Sequence, residues 1–171
     1  MTDQADGHVS IGRDNFAPII NGNNNTYHAV EPLDVTAARH RAAGVWKLRH
    51  GMASEAVGQF RLARTAEPGN PDDYYFGAIA ELGGKKAFLA PLRCVRAADL
   101  LIHGALDLED RPEFHYFLAY LRFDYYARKH LRPPAPWQVS FAEAWAKGLT
   151  QSRIDSLFTL LSVEDPLPAV R

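Results

Sequence analysis

The sequence predicts an all-α body, a solenoid of antiparallel helix pairs, carrying an N-terminal arm that is either β-arc or disordered. Three observations predict it. From Thr36 to His130 the residues Ala, Leu, Arg and the aromatics recur at helical spacing. Within that stretch small and large residues repeat with a period of 34. Composition changes abruptly near residue 31, because residues 7–30 (GHVSIGRDNFAPIINGNNNTYHAV) are rich in Asn and Gly, with apolar residues only in short runs.

These changes set the expected boundaries. The arm covers 1–35, with its β-arc motif at 7–30, and Glu31-Pro32-Leu33-Asp34 forms the joint. A helical domain follows over 36–131. Arg132-Pro133-Pro134-Ala135-Pro136 opens a stiff extended linker over 132–139. A C-terminal helix pair occupies 140–162 and caps the solenoid. Its first helix runs about Ser140–Lys147, with Ser140 and Glu143 as a capping box and Gly148 as its stop. Its second runs about Gln151–Leu161 with Thr150 as N-cap. Residues 163–171 form a tail containing two prolines.

The repeat begins at Ala37. Gly44 is the small residue of a first helix, which Gly51 ends. Ala56, Phe60 and Ala63 line a second helix, which Pro68 terminates. Adding 34 turns His40 into Tyr74, Gly44 into Ala78, Ala56 into Ala90 and Ala63 into Ala97. The physical reason for such a pattern is packing. A Gly or Ala lets a neighbouring helix approach, and a large ring fills the hole beside it. In the second copy Phe60 becomes Cys94 and Pro68 becomes Ile102, while Gly83-Gly84-Lys85-Lys86 widens the turn. Pro91 predicts that the second helix starts there. A third unit is expected from about Pro112, with about seven inserted residues near Gly104–Asp110, since Ala119 lies 41 after Ala78. This spacing resembles the tetratricopeptide repeat, a resemblance that specifies architecture and implies a protein-binding role rather than a chemistry.

Residues 114–126 are the most aromatic stretch. Phe114, Phe117, Leu118, Leu121 and Tyr125 form one stripe, and a helix apolar nearly all round is normally central. Tyr116 and Tyr120 lie on other faces, where they either belong to the core or line a concave groove for a partner. Charge alternates in blocks. Residues 37–66 are basic and 67–84 acidic, 85–96 basic again and 99–113 acidic. Neighbouring helices are therefore expected to pair these blocks at the surface, or to present them to a partner protein.

The arm holds two matched turns. Gly12 and Gly22 are ten apart, as are Asn15 and Asn25. Gly and Asn tolerate the positive φ that tight arcs require. Short β-prone pieces lie around them and carry Val9, Ile11, Ile19 and Ile20. One copy buries little, but stacked copies pair their backbones between layers, ladder their Asn side chains and pack the branched residues dry. Pro18 argues against a regular interior strand and fits an arc or kink. These residues resemble the amyloid-like homotypic signalling motifs of bacterial and fungal immune systems. They also resemble the receptor-interacting-protein homotypic interaction motif, whose tetrad Val9, Ser10, Ile11 and Gly12 match except at Ser10, where Gln is usual. An arm of this kind on a tetratricopeptide-like domain is similar to actinobacterial conflict-system proteins. The resemblance implies self-association through the arm and recruitment of an effector or receptor with a matching arm. An Asn/Gly-rich flexible tail is the alternative.

The chemistry classes are narrowed by what the sequence holds. A formal charge of −1 over 171 residues lacks the basic excess of a dedicated nucleic-acid binder. A single cysteine, Cys94, leaves no internal disulfide and no Cys-based zinc site, and it is expected to be a buried, inert thiol. No phosphate-binding loop, nucleophile elbow or zinc-protease helix occurs, and no two of the seven histidines stand at i,i+3 or i,i+4. No enzyme activity, cofactor or metal is expected. Nothing in the sequence is apolar enough to span a membrane and the first ten residues lack a secretion signal, so a cytoplasmic protein is expected. One nucleic-acid alternative stays open. The C-terminal helix pair has a helix-turn-helix outline, with Gln151, Ser152 and Arg153 heading the second helix.

Overall fold

The computed structural model describes residues 31–167. The arm residues Val9, Ile11, Gly12, Asn15, Ile19, Ile20, Gly22 and Asn25 lie outside the described residues. Among the described residues there are seven α-helices and no strand, so the body is all-α. They are α1 (Leu33–Arg49), α2 (Ala53–Ala66), α3 (Pro71–Glu81), α4 (Leu92–Leu108), α5 (Pro112–Leu121), α6 (Trp137–Ala146) and α7 (Gln151–Leu161).

Local chemistry sets the boundaries. Asp34 opens α1, and Lys47 and Arg49 close it, matching the helix dipole at both ends. Gly51, at φ +73°, makes the left-handed turn into α2. Asn70 caps α3 by accepting a 3.1 Å hydrogen bond from the Asp72 amide, and Pro71 occupies the first turn. Pro91 precedes α4, and Pro112 lies in the first turn of α5. α5 then runs into a π-helical turn, Arg122–Ala127. Gly148, at φ +79°, turns the chain from α6 toward α7.

Consecutive helices pack on one another from α1 to α6, and α1 also touches α3. Among the odd-numbered helices, Tyr75 of α3 also meets Phe114 of α5, and α7 lies on both α3 and α5. Gly44 shows why α1 and α2 approach closely. A Cβ built there would stand 2.7 Å from the ring of Phe60, which is fully buried. Between α3 and α4 the roles reverse. The large residue, Tyr74, is on the first helix and the small one, Gly104, on the second, with 2.8 Å to a built Cβ.

The first helices follow the 34-residue spacing, since Gly44 and Ala78 are both buried. The second helices do not. The buried stripe of α2 is Ala53, Ala56, Phe60 and Ala63, and that of α4 is Val95, Ala98, Ile102 and Ala105. The two stripes have the same internal spacing but are offset by 42. Ala90 accordingly lies before α4 rather than inside it, and Ala97 sits beside the buried stripe, only partly covered. Cys94 is likewise half-buried against the core edge. The extra residues stand in the α3–α4 turn, 82–91, and not near Gly104–Asp110, where the α4–α5 connection is only 109–111.

That long turn folds around Ala87–Leu89, a short 3-10 helix. The Tyr120 hydroxyl accepts a 3.0 Å hydrogen bond from the Ala87 amide, and Asp124 Oδ2 accepts one of 2.8 Å from the Phe88 amide. Tyr120 is fully buried and Asp124 equally so. Tyr116 is buried too, and its hydroxyl donates to Asp165 Oδ2 at 2.6 Å. Neither tyrosine lines a groove. Each buries its ring and spends its hydroxyl on a chain segment that returns from elsewhere, Tyr120 on the inserted turn and Tyr116 on the tail.

The C-terminal helices also differ from the expected capping pair. α6 starts at Trp137, three residues before Ser140, so Ser140 is not an N-cap. It lies buried inside the helix and accepts a 2.9 Å hydrogen bond from Arg122 Nη1. α6 packs on α5 as the second member of a third pair, whereas α7 lies against α5 and α3. Its apolar face, Ile154, Leu157, Phe158 and Leu161, is buried there. α7 therefore covers part of the odd-helix side instead of closing the end. Trp145 of α6 stays 36% exposed.

Candidate protein-binding cleft

What α7 leaves uncovered is a cleft of about 250 Å³ bounded by α1, α3, α5 and α7. Each wall comes from a helix face already fixed by packing. Val45 and Arg49 project from α1, one helical turn apart. Tyr75 and Phe76 come from α3, Glu113 from α5, and Arg153, Leu157 and Leu160 from α7.

The floor is aromatic and rigid. Tyr75 lies 4.9 Å from Phe114 and edge-on to Phe117 at 6.1 Å between ring centroids. Phe76 stacks on the buried Phe60 at 5.9 Å. Burial pushes the Tyr75 phenol far above its ordinary range, helped by the nearby charges of Glu113 and Asp72, so it stays neutral at any ordinary pH. The rim is charged. Arg153 pairs with Glu113 across the α5–α7 gap, whereas Arg49 makes no ion pair among the described residues. A groove of about 400 Å³ shares Arg49, Ser152, Ser156 and Leu160 with the cleft and adds Asp155 and Thr159.

Such a lining can hold an apolar side chain and steer an acid toward Arg49. The cleft is smaller than the roughly 300–1,000 Å³ of most small-molecule sites, a size that suits one anchoring side chain of a larger partner. Of the residues that the helix-turn-helix reading placed on a DNA surface, Ser152 and Arg153 border this cleft, and Gln151 hydrogen-bonds Asp155 at 2.9 Å.

Of the charge blocks, 37–66 and 67–84 pair with each other, whereas Lys85, Lys86, Arg93 and Arg96 of the 85–96 block make no ion pair among the described residues. Arg41 of α1 grips Asp73 and Glu67, and Arg111 bonds Asp72 at 2.7 Å and also Glu109. Asp73, in the first turn of α3, is completely buried. His115 bridges Asp110 at 2.6 Å and Glu143 at 2.9 Å, tying α5 and the turn before it to α6. His40 bonds Gln59 at 2.8 Å, and His50 stacks on Trp46. No group of three or more His, Cys, Asp or Glu among the described residues is placed to hold a metal ion, and no described helix is long and apolar enough to cross a membrane. Comparison of the chain with protein-family models, with curated proteins and with solved structures returns no match.

Proposed function

We propose that this chain is a non-enzymatic adaptor in a bacterial signalling or defence system, with a tetratricopeptide-like helical body that holds a protein partner and an arm that assembles with like arms. The observation that carries the body's role is the cleft. An aromatic floor built on Tyr75 and Phe76 lies between α1 and α7, and Arg49, which makes no ion pair among the described residues, stands at its rim. The fitting partner is a segment with one large apolar side chain flanked by a carboxylate. The repeat-like spacing of Gly44 and Ala78, and the packing of each helix on the next from α1 to α6, support the tetratricopeptide-like reading. The arm's role rests on the paired Gly12/Asn15 and Gly22/Asn25 arcs of the sequence.

A photo-crosslinking amino acid tests the cleft. Placed at Ser156, which is exposed and borders the cleft, it is expected to capture a discrete protein in the native cell, and Arg49→Glu is expected to weaken that capture. The same probe at Lys85, on the exposed α3–α4 turn, is expected to capture nothing comparable. Equal labelling from both positions, or labelling indifferent to Arg49→Glu, would count against a partner in the cleft.

A further inference from the structure

Charge is segregated along the chain more sharply than its net value of −1 suggests. Residues 85–98 and 125–142 together hold seven of the 19 Lys and Arg, and none of the 20 Asp and Glu. The fold brings these two segments side by side. Tyr120 and Asp124 hold the Ala87–Leu89 turn by its backbone amides, and Arg128 and Lys129 each lie 5.1 Å above the Phe88 ring. Farther along, Arg96 of α4 and Arg132 of the proline-rich connector line one hollow of about 750 Å³. Arg93 precedes Arg96 by one helical turn. Lys85, Lys86, Arg93, Arg96, Arg128, Lys129 and Arg132 therefore share one face of the molecule.

Little within the molecule answers that charge. Of the seven cations only Arg128 makes an ion pair among the described residues, and its partner Asp124 is fully buried. Asp165, whose charge reaches Tyr120, spends its oxygens on Tyr116 and the Leu167 amide. Asp99, the one acid lining the hollow, has Oδ1 buried and Oδ2 4.0 Å from His103. The same face carries leucines that nothing covers. Leu89 is 67% exposed, although the turn that bears it is anchored by two hydrogen bonds, so its side chain is held out from the surface. Leu92, Arg96 and Leu100 follow one another at single-turn spacing on α4, and both of these leucines are exposed, as is Leu131.

Cations without acids select an anionic partner, and the leucines among them narrow its kind. A nucleic acid rewards aromatic rings on which its bases stack, but the Phe88 ring lies beneath Arg128 and Lys129 and the exposed apolar groups are aliphatic. A protein partner needs a socket in register with each leucine, and these stand on three separate elements, the turn, α4 and the chain before the connector. A fluid lipid surface needs no register. Its headgroups meet the cations, and leucines enter the boundary between headgroups and acyl chains. We propose that this face docks the protein on an anionic lipid surface, with Leu89 entering the boundary and Lys85, Lys86, Arg93, Arg96, Lys129 and Arg132 facing the headgroups. The chain then lies on a membrane without crossing it, and the partner cleft shares no residue with this face.

Flotation of the full chain on a density gradient tests this, with vesicles of phosphatidylcholine and phosphatidylserine in equal parts against vesicles of phosphatidylcholine alone. Flotation also separates lipid-bound chain from free polymer, which sinks. The chain is expected to float with the mixed vesicles only, and added salt is expected to release it. Lys85→Ala/Lys86→Ala/Arg93→Ala is expected to weaken binding about a hundredfold, at about 1 kcal/mol for each cation near the surface. Leu89→Ala keeps every charge and is expected to weaken binding about tenfold. Leu62→Ala, at an exposed leucine of α2, is expected to change nothing. None of these side chains is buried, so the fold should persist, which circular dichroism checks. Failure to float with the mixed vesicles, equal flotation with the neutral ones, or binding indifferent to either the cation substitutions or Leu89→Ala would overturn the proposal. So would retention on duplex DNA or polyglutamate, unchanged by Leu89→Ala, by a chain that no vesicle floats, which would assign the face to a nucleic acid or an acidic protein.

Discussion

Phe60→Ala is expected to destabilise the body by about 3–5 kcal/mol, a loss comparable with the entire stability of a marginal domain. Phe60 is fully buried, its ring occupies the space that a side chain at Gly44 would need, and it supports Phe76 from beneath. Alanine removes that ring from the one place where α1, α2 and α3 all meet it. Gly44, which faces the vacated space, has no side chain to fill it. The surroundings therefore collapse poorly, and the upper part of the range is expected. The converse substitution, Gly44→Ala, inserts a methyl group 2.7 Å from the same ring and should cost about 1–3 kcal/mol by overpacking. Because the two residues touch, the double variant should be less unstable than the sum of the single variants. Urea unfolding checks this through the midpoint at unchanged slope. Additive losses would show that the helices do not interlock here.

The second large effect is expected at Asp73. Its carboxylate accepts hydrogen bonds from Arg41 Nε at 2.8 Å and Nη2 at 2.9 Å, while Arg41 also reaches Glu67 at 2.7 Å. The partners feel the pairing unequally. Arg41 is held charged first by its hydrogen bond to Asp73, against some burial, and its side chain is 21% exposed. At Asp73 burial is the larger influence and pushes the carboxyl upward despite Arg41. Desolvation and attraction thus largely offset each other, as they do in many buried pairs. Asp73→Ala breaks the offset and strands a partly covered guanidinium. The expected loss is about 3 kcal/mol, near the lower end for a severed buried pair because Glu67 and solvent still reach Arg41. Arg41→Leu/Asp73→Leu removes both charges and should recover most of that loss. A double variant no more stable than Asp73→Ala would mean that the pair itself, rather than the stranded charge, carries the energy.

The sequence was most legible where one residue decides a local conformation. Pro91 and Pro112 mark the starts of α4 and α5, and Gln151–Leu161 is α7 as expected, because proline and the apolar periodicity of a short helix act over a single turn. Gly44 was legible as a close approach for the same reason. The second half of the repeat was misread because alanine is common in helices. Ala90 and Ala97 match Ala56 and Ala63 by position without sharing their burial, and only the common spacing of the two buried stripes shows the true offset. The π-helical turn Arg122–Ala127 contains no Gly or Pro to announce it. Ser140 looked like a cap because its own neighbours fit one, while the Arg122 bond that explains its burial comes from 18 residues away.

The cleft was the least legible feature. Tyr75, Phe76, Arg49 and Leu160 belong to three helices, and nothing in their local spacing says that α7 folds back across α3. For the same reason the sequence left Tyr116 and Tyr120 open between core and groove, and the structure buries both. Their hydroxyls are satisfied by Asp165 and Ala87, 49 and 33 residues distant, and helical periodicity is blind to such partners.

The central claim, that the chain couples a partner-holding body to an arm that recruits its own kind, is tested most directly by assembly of the full-length protein. Sedimentation with thioflavin fluorescence should show ordered polymers that seed monomer. Gly12→Asp combined with Gly22→Asp should abolish them while leaving helical circular dichroism unchanged, since charge repeated in every layer repels and both arcs lose their glycine. A chain that stays monomeric and thioflavin-negative at high concentration, or one that polymerises equally well with both substitutions, would contradict the account.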